Sequence, residues 1–336
     1  MDWGYWLPVI FAGLMALSLL LYVVLDGYDL GIGLLLPLVS DEDKDRMIAS
    51  IGPFWDANET WLVLGIGLLL VAFPAANAML MASMYLPVAL MLGGLILRGV
   101  SFDFRVKAKD PHKPWWNLGF TIGSLIAALS QGYMLGRYLS GFAETSAAYG
   151  FAVMTAIGLA AAYILLGSAW LILKTEGYLQ QQATRWMQIA LWPMGFGIFL
   201  ISVVTPWMIP SIAQKWFQLP NFLLLLPLPL VSICLYFALF KILPALRKQQ
   251  SIGHDRWCWL PFSAAVSLIV LAFWGLAYSV FPEIVMGKMT IWQAASDTAA
   301  LKVIFYGAIV VLPVILLYTA FSYRIFRGKI GDLRYD

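Results

Sequence analysis

Asp26 and Asp29 interrupt an apolar stretch that otherwise runs without a charge from Trp3 to Val39. A carboxylate at membrane depth costs roughly 2.5–3.5 kcal/mol on insertion scales, so a pair kept there marks a candidate functional site. The chemistry that suits such a pair is proton relay, because desolvation favours the protonated form and brings titration toward working pH. A structural alternative stands beside it: an interhelical hydrogen-bonding pair, or a cap near the interface. Tyr22, Asp26, Asp29 and Gly33 recur at i, i+4, i+7 and i+11, which puts them on one helical face. Gly27 and Gly31 form G-x-x-x-G on a neighbouring face, a spacing that lets a second helix approach closely.

Two further polar clusters follow. In Gly52-Pro-Phe-Trp-Asp-Ala-Asn-Glu-Thr-Trp61, Pro53 suits the first turn of a helix, and Asp56 and Glu59 complement the positive end of its dipole. Capping does not explain why Trp55, Asp56, Asn58, Glu59 and Trp61 crowd into seven residues. Asp56, Glu59 and Val63 share one face by spacing, and Asn58 and Trp61 share another. The third cluster is Arg98-Gly-Val-Ser-Phe-Asp-Phe-Arg105. Arg98 reads either as a snorkelling side chain at a helix end, or, with Asp103 and Arg105, as the partner that fixes the acidic clusters.

The elements that must position these groups are membrane spans. Hydrophobic residues make up 62% of the 336, charged residues only 12%, and mean hydropathy is +0.82, far from the soluble average of about 25% charged. Nine apolar stretches stand out, at about 7–37, 54–73, 79–98, 118–140, 148–173, 187–209, 219–243, 258–281 and 299–323. Each is expected to be a helix, since hydrocarbon leaves no other partner for backbone amides, and the ten-residue alternation of a membrane barrel is absent. The first stretch is too long for a signal-peptide core and lacks a basic n-region and a cleavage site, so it is expected to be retained. At about 31 residues, or roughly 46 Å, it must tilt, kink or protrude.

Basic residues provide an independent check. Of 21 Lys and Arg, all but Arg137, Lys215, Lys288 and Lys302 fall on one side of a nine-span arrangement, in or beside the connections at about 40–53, 99–117, 174–186, 244–257 and the tail from 324. By the positive-inside rule that side is cytoplasmic, with the N-terminus outside. Trp3, Trp6, Trp207, Trp216, Trp257 and Trp259 lie near the expected span ends, as interfacial belts do. No connection exceeds about 20 residues, so residues 1–336 are expected to form a single polytopic membrane domain.

Absences narrow the chemistry. His112 and His254, the only histidines, fall in expected loops, which excludes a bis-histidine haem site inside the bilayer from this chain. Cys234 and Cys258 have neither metal-site nor disulfide spacing, and the fourteen methionines read as core filling. P-loop, C-x-x-C and H-E-x-x-H patterns are missing. A net charge of +3 with dispersed basic residues gives no nucleic-acid footprint.

At these motifs the chain resembles subunit II of the cytochrome bd-type quinol oxidases. The likeness lies in Asp26-Gly-Tyr-Asp-Leu-Gly-Ile-Gly33, in Trp55-Asp-x-Asn-x-x-Trp61, and in Arg98-x-x-x-Phe-Asp-Phe-Arg105. It is specific over the first 110 residues and rests on topology beyond them. Ala57 departs from it, since the family often has glycine there, and the short loops resemble its cyanide-insensitive branch. The fold expected is an all-α integral membrane protein of about nine spans, arranged as two four-helix bundles plus one peripheral helix. The resemblance implies a multi-pass protein of the bacterial inner membrane, packed against a homologous haem-bearing subunit I, with membrane lipid around it and small accessory subunits left open. Two haems b and one haem d would sit in subunit I. The complex would oxidise quinol and reduce O2 to water with protons from the cytoplasm, and this chain alone would hold no catalytic residue and no metal. Residue by residue, the resemblance places Asp56 on a proton path at the subunit interface, with Asp26 and Asp29 feeding or bordering it and Glu59 beside it. Trp61 would lie near the mouth of an apolar oxygen channel. Trp55, Asn58, Arg98, Asp103 and Arg105 would serve structural or electrostatic roles.

Two other classes compete. A proton-coupled transporter working alone also keeps carboxylates in its spans, but typically has helices broken near the midplane in two corresponding halves. Here the polar residues crowd the same ends of the first three spans. A purely structural assembly partner would tolerate neutralisation of the acids.

Overall fold

The computed structural model describes residues 2–251 and 255–331; His254 and Arg334 lie outside the described residues. Its long helices are α1 (Trp3–Leu35), α3 (Trp55–Ala72), α4 (Pro74–Lys107), α5 (Lys113–Leu139), α6 (Ser146–Lys174), α7 (Gly177–Met208), α10 (Pro227–Gln250), α11 (Trp259–Val280) and α13 (Thr298–Ile325). These supply the nine helices among the described residues that are long and apolar enough to span a bilayer. Between them lie short elements: α2 (Asp41–Ile51), α8 (Pro210–Phe217), α9 (Asn221–Leu225), α12 (Ile291–Ala294) and an antiparallel hairpin, β1 (Glu283–Val285) with β2 (Met289–Thr290).

Helix ends follow local chemistry. Ser40 caps α2, its hydroxyl accepting from the Asp43 amide at 3.4 Å, and Asp41, Glu42 and Asp43 fill the first turn where the dipole favours acids. Pro74 disfavours helical geometry at Phe73, so α3 ends there and α4 starts at once with Pro74 in its first turn. Within α4, Met84 leaves helical geometry (φ −126°, ψ 19°) three residues before Pro87, whose ring displaces the preceding turn. At the end of α6, the Lys329 ammonium donates to the carbonyls of Ile172 (3.2 Å) and Thr175 (2.8 Å) and also pairs with Asp255, which ties the C-terminal segment to that helix.

The helices pack as expected from sequence. α1, α3, α4 and α5 form one bundle, and α6, α7, α10 and α11 another, joined along α1–α6 and α5–α6. α13 is peripheral: only Leu301 of it is buried, and it is held near its ends, where Phe305 meets Trp3 (6.0 Å) and Tyr323 stacks on Phe54 (4.5 Å). The expected close approach at Gly31 is made by α6; a Cβ at Gly31 would lie 1.8 Å from the Tyr163 carbonyl oxygen, and one at Gly167 2.7 Å from the Gly31 carbonyl carbon. Likewise a Cβ at Gly123 would meet the Arg98 backbone nitrogen at 2.7 Å, so α5 presses α4 inward at the arginine.

The connections differ from expectation. α4 runs on to Lys107, so Arg98, Asp103 and Arg105 are helical and Arg98 does not end its span. The stretch 40–53 contains α2, and α7 begins at Gly177, inside the loop expected at 174–186. The reason is physical: hydropathy falls where charge begins, whereas a hydrogen-bonded helix continues into the headgroup region. Arg137, Lys215, Lys288 and Lys302 sit in connections or terminal turns at one end of the spans, and the remaining described basic residues lie toward the other, the basic end. Opposite it, the Tyr149 hydroxyl and the Arg137 guanidinium hold the loop carboxyl of Glu144 below its ordinary range.

Gly31→Leu is expected to lower the yield and thermal midpoint of the purified complex by several degrees, the effect of roughly 1–3 kcal/mol of overpacking. Gly150→Leu, whose Cβ would meet nothing within 4 Å, should leave both unchanged in the same thermal-shift assay.

Candidate functional site

Three helices bring charge into the first bundle at the basic end. Asp26 and Asp29 project from the second half of α1, and both are fully buried. Arg98 of α4, 1% exposed, donates from Nη2 to Asp26 Oδ1 at 2.6 Å and to Glu59 Oε2 at 3.3 Å. Glu59, in the second turn of α3, keeps its side chain 27% exposed, so it connects the buried pair with the flank of the bundle. Arg98 and Asp26 thus form a buried ion pair, which needs good geometry to offset the desolvation of both charges. Asp26 Oδ2, Asp29 Oδ1, Arg98 Nε and Arg98 Nη1 are buried without a protein hydrogen-bond partner, the kind of polar atom that ordered water normally serves.

Asn58 organises the second half of the site. Its Nδ2 donates to Asp29 Oδ2 (2.9 Å) and the Tyr28 hydroxyl (2.8 Å), with Leu25 O at 3.3 Å. Its Oδ1 accepts from the Tyr323 hydroxyl of α13 at 3.0 Å, and the Tyr28 and Tyr323 hydroxyls are 2.5 Å apart. Trp170 stacks on Tyr28 at 4.2 Å, fixing the phenol in this network. On the other side of α1, Gln131 donates to the Tyr22 hydroxyl and accepts from Tyr163, each at 2.6 Å. α3 therefore splits its contacts between faces, Glu59 toward Arg98 and Asn58 toward Asp29, with Val63 exposed and Trp61 buried as the spacing predicts.

Several residues that sequence grouped with this cluster lie elsewhere. Arg105 does not pair with the acids of the first two spans; its Nε donates to Asn117 Oδ1 (2.5 Å) and its Nη2 meets Asp45 of α2 (2.7 Å). Asp103 and Asp56 are exposed and make no ion pair among the described residues, because the helical turn that points Arg98 and Asn58 inward points them outward. Trp61 is 2% exposed within the apolar core, and Trp55 packs at 4.8 Å against Phe102. Tyr28, Gln131, Tyr163 and Tyr323 were not singled out by sequence. Tyr28 stands between the two aspartates and was open to notice, but Tyr323 is 295 residues from its partner and carries no local signal.

His112 lies exposed in a turn, and among the described residues no group of three or more His, Cys, Asp or Glu is placed to hold a metal ion. Cys234 and Cys258 are free thiols.

The family model for cytochrome bd terminal oxidase subunit II matches residues 7–326. The chain belongs to that family. Relatives include cytochrome bd-I ubiquinol oxidase subunit 2 of Escherichia coli strain K12, 27% identical over 94% of this chain and 93% of that one. The cytochrome bd ubiquinol oxidase subunit 2 of Bacillus subtilis strain 168 is 26% identical over 98% and 96%. The bd oxidase structure from Geobacillus thermodenitrificans superposes with a TM-score of 0.72 at 19% identity, covering 95% of this chain and 98% of that one, and shows the shared fold. As subunit II of a cytochrome bd terminal oxidase, the chain is a multi-pass inner-membrane component of a haem-dependent respiratory oxidoreductase.

Removing one partner of the buried pair should be worse than removing both. Arg98→Met is expected to destabilise the complex by about 3–5 kcal/mol, and Asp26→Asn added to it to restore part of that loss, as read from thermal unfolding.

Proposed function

We propose that this chain is the non-haem subunit of a quinol:oxygen oxidoreductase and supplies part of the route by which protons reach the haem-bearing subunit I. The observation that carries the reading is the charge balance of the site: it holds three carboxylates and one guanidinium, Arg98, which pairs with Asp26 and Glu59 while Asp29 is held by the neutral amide of Asn58. Full ionisation would leave two uncompensated negative charges in a low-dielectric bundle, so the cluster is suited to hold an exchangeable proton. Glu59 provides its opening to the flank. Asn58 extends it to the Tyr28–Tyr323 pair, and the partnerless oxygens of Asp26 and Asp29 are positions where water would continue the chain.

The basic end is assigned to the cytoplasm, with the N-terminus outside, by the distribution of Lys and Arg. Subunit I is placed against the α3–α4 flank, where the carboxylates of Asp56 and Glu59 reach the surface of the bundle among exposed Val63, Leu70, Ile96 and Val100. Carboxylates at that depth favour a protein neighbour over lipid. Asp56 is then an interface acid that exchanges protons between subunits rather than a member of the buried cluster. Haem, which supplies the oxygen chemistry of the complex, is assigned to subunit I; an oxygen route beside Trp61 rests on the family resemblance.

Asp26→Asn, Asp29→Asn, Glu59→Gln and Asp56→Asn are each expected to slow quinol-dependent oxygen consumption about tenfold or more while leaving the haem absorption spectrum of the purified heterodimer unchanged. Unaltered rates would reduce the acids to structural groups, and a purified complex without haem would overturn the oxidase reading.

A further inference from the structure

Arg185, Lys241, Arg247 and Lys248 belong to the basic side chains that have no carboxylate partner among the described residues. All four belong to α7 and α10 near the basic end. A groove of about 680 Å³ opens between these helices, lined by Gln181, Gln188, Pro244, Arg247, Lys248 and Ser251. Gln181, Arg185 and Gln188 follow one face of α7 at i, i+4 and i+7, and Lys241 and Lys248 one face of α10 at i and i+7. Among the described residues its lining contains no carboxylate, which argues against a cationic ligand.

Gln250 lies between the lining residues Lys248 and Ser251 in the chain. Thr184 Oγ1 donates to Gln250 Oε1 at 3.0 Å, and Gln250, 7% exposed, leaves its Nε2 donor buried with no partner among the described residues. Toward the membrane the walls turn apolar: Ile189 and Trp192 of α7 and Phe237 of α10 are largely exposed, with Trp192 packed edge-on against Phe240 at 5.2 Å. Cations and amides at headgroup level over an apolar wall suit an amphiphile with a negatively charged head. The groove also lies on the second bundle, whereas the exposed acids of α3 and α4 are on the first.

We propose that the α7–α10 groove binds an anionic phospholipid, with its phosphate between Arg247 and Lys248 and its acyl chains along Ile189, Trp192 and Phe237. Basic pockets between spanning helices at a cytoplasmic face recognise lipid headgroups in this way. The lipid would bridge α7 and α10 on the side away from the proton-handling cluster.

Native mass spectrometry of the purified heterodimer, titrated with phosphatidylglycerol, phosphatidylcholine or inorganic phosphate, tests this. Phosphatidylglycerol is expected to fill one tight site and to bind about thirtyfold more weakly to R247Q/K248Q. If that double variant does not assemble, Lys248→Gln alone should weaken binding about fivefold. Lys288→Gln/Lys302→Gln, of equal charge change at the opposite end, should bind as the unaltered complex does. Equal retention of phosphatidylcholine, unchanged binding in the groove variants, or an equal loss in the opposite-end variant would overturn the proposal. Displacement by millimolar inorganic phosphate would make the groove a free-anion site and overturn its assignment to lipid.

Discussion

The buried contact between Arg98 and Asp26 constrains everything around it. A guanidinium and a carboxylate inside a helical bundle must be brought together within hydrogen-bond distance, or each carries several kcal/mol of unrecovered desolvation. That requirement ties α4, which packs on α5, to α1 through the Arg98 side chain. The glycine contact at Gly123 lets α5 press α4 inward at Arg98, and the Gly31–Gly167 contact holds α1 against the second bundle. The helix packing and the charge cluster are therefore one arrangement: small residues set the distances at which the ion pair can close.

α3 divides the site. Two neighbouring residues on this helix, Asn58 and Glu59, face different ways: Asn58 donates to Asp29 of α1, whereas Glu59 accepts from Arg98, which also donates to Asp26. Through Asn58 the network reaches Tyr323 on α13, a helix that otherwise lies on the outside of the bundles. The C-terminal segment beyond α13 is tied to the end of α6 by Lys329, so the position of the Tyr323 hydroxyl depends on contacts at both the chain terminus and the centre. A peripheral helix thus contributes a half-buried polar group to the network without contributing much to the core.

Much of the fold was legible in the sequence because a bilayer makes hydropathy decisive: the expected span centres coincide with the observed helices, and the Lys and Arg asymmetry follows their ends. The helix lengths were less legible, since α4 and α7 continue past the point where charge appears. In the site, Asp26, Asp29, Asn58, Glu59 and Arg98 were recognisable as polar groups at apolar depth. Grouping Asp56, Asp103 and Arg105 with them failed because proximity in sequence does not decide which side of a helix faces inward. Arg105 illustrates this: seven residues from Arg98 on the same helix, it is buried too, yet it meets Asn117 and Asp45 instead.

The sequence by itself determined nine apolar stretches, which match the nine long apolar helices among the described residues, that acids are kept within them, and that neither histidine falls inside one of those stretches. These follow from the free energy of transferring single residues, which needs no partner to be known. Only the tertiary structure decided which acid receives Arg98, that Asn58 rather than a charge serves Asp29, and that Tyr323 completes the network from the far end of the chain. A hydrogen bond depends on distance and direction, and helices separated by up to hundreds of residues acquire those only when they pack.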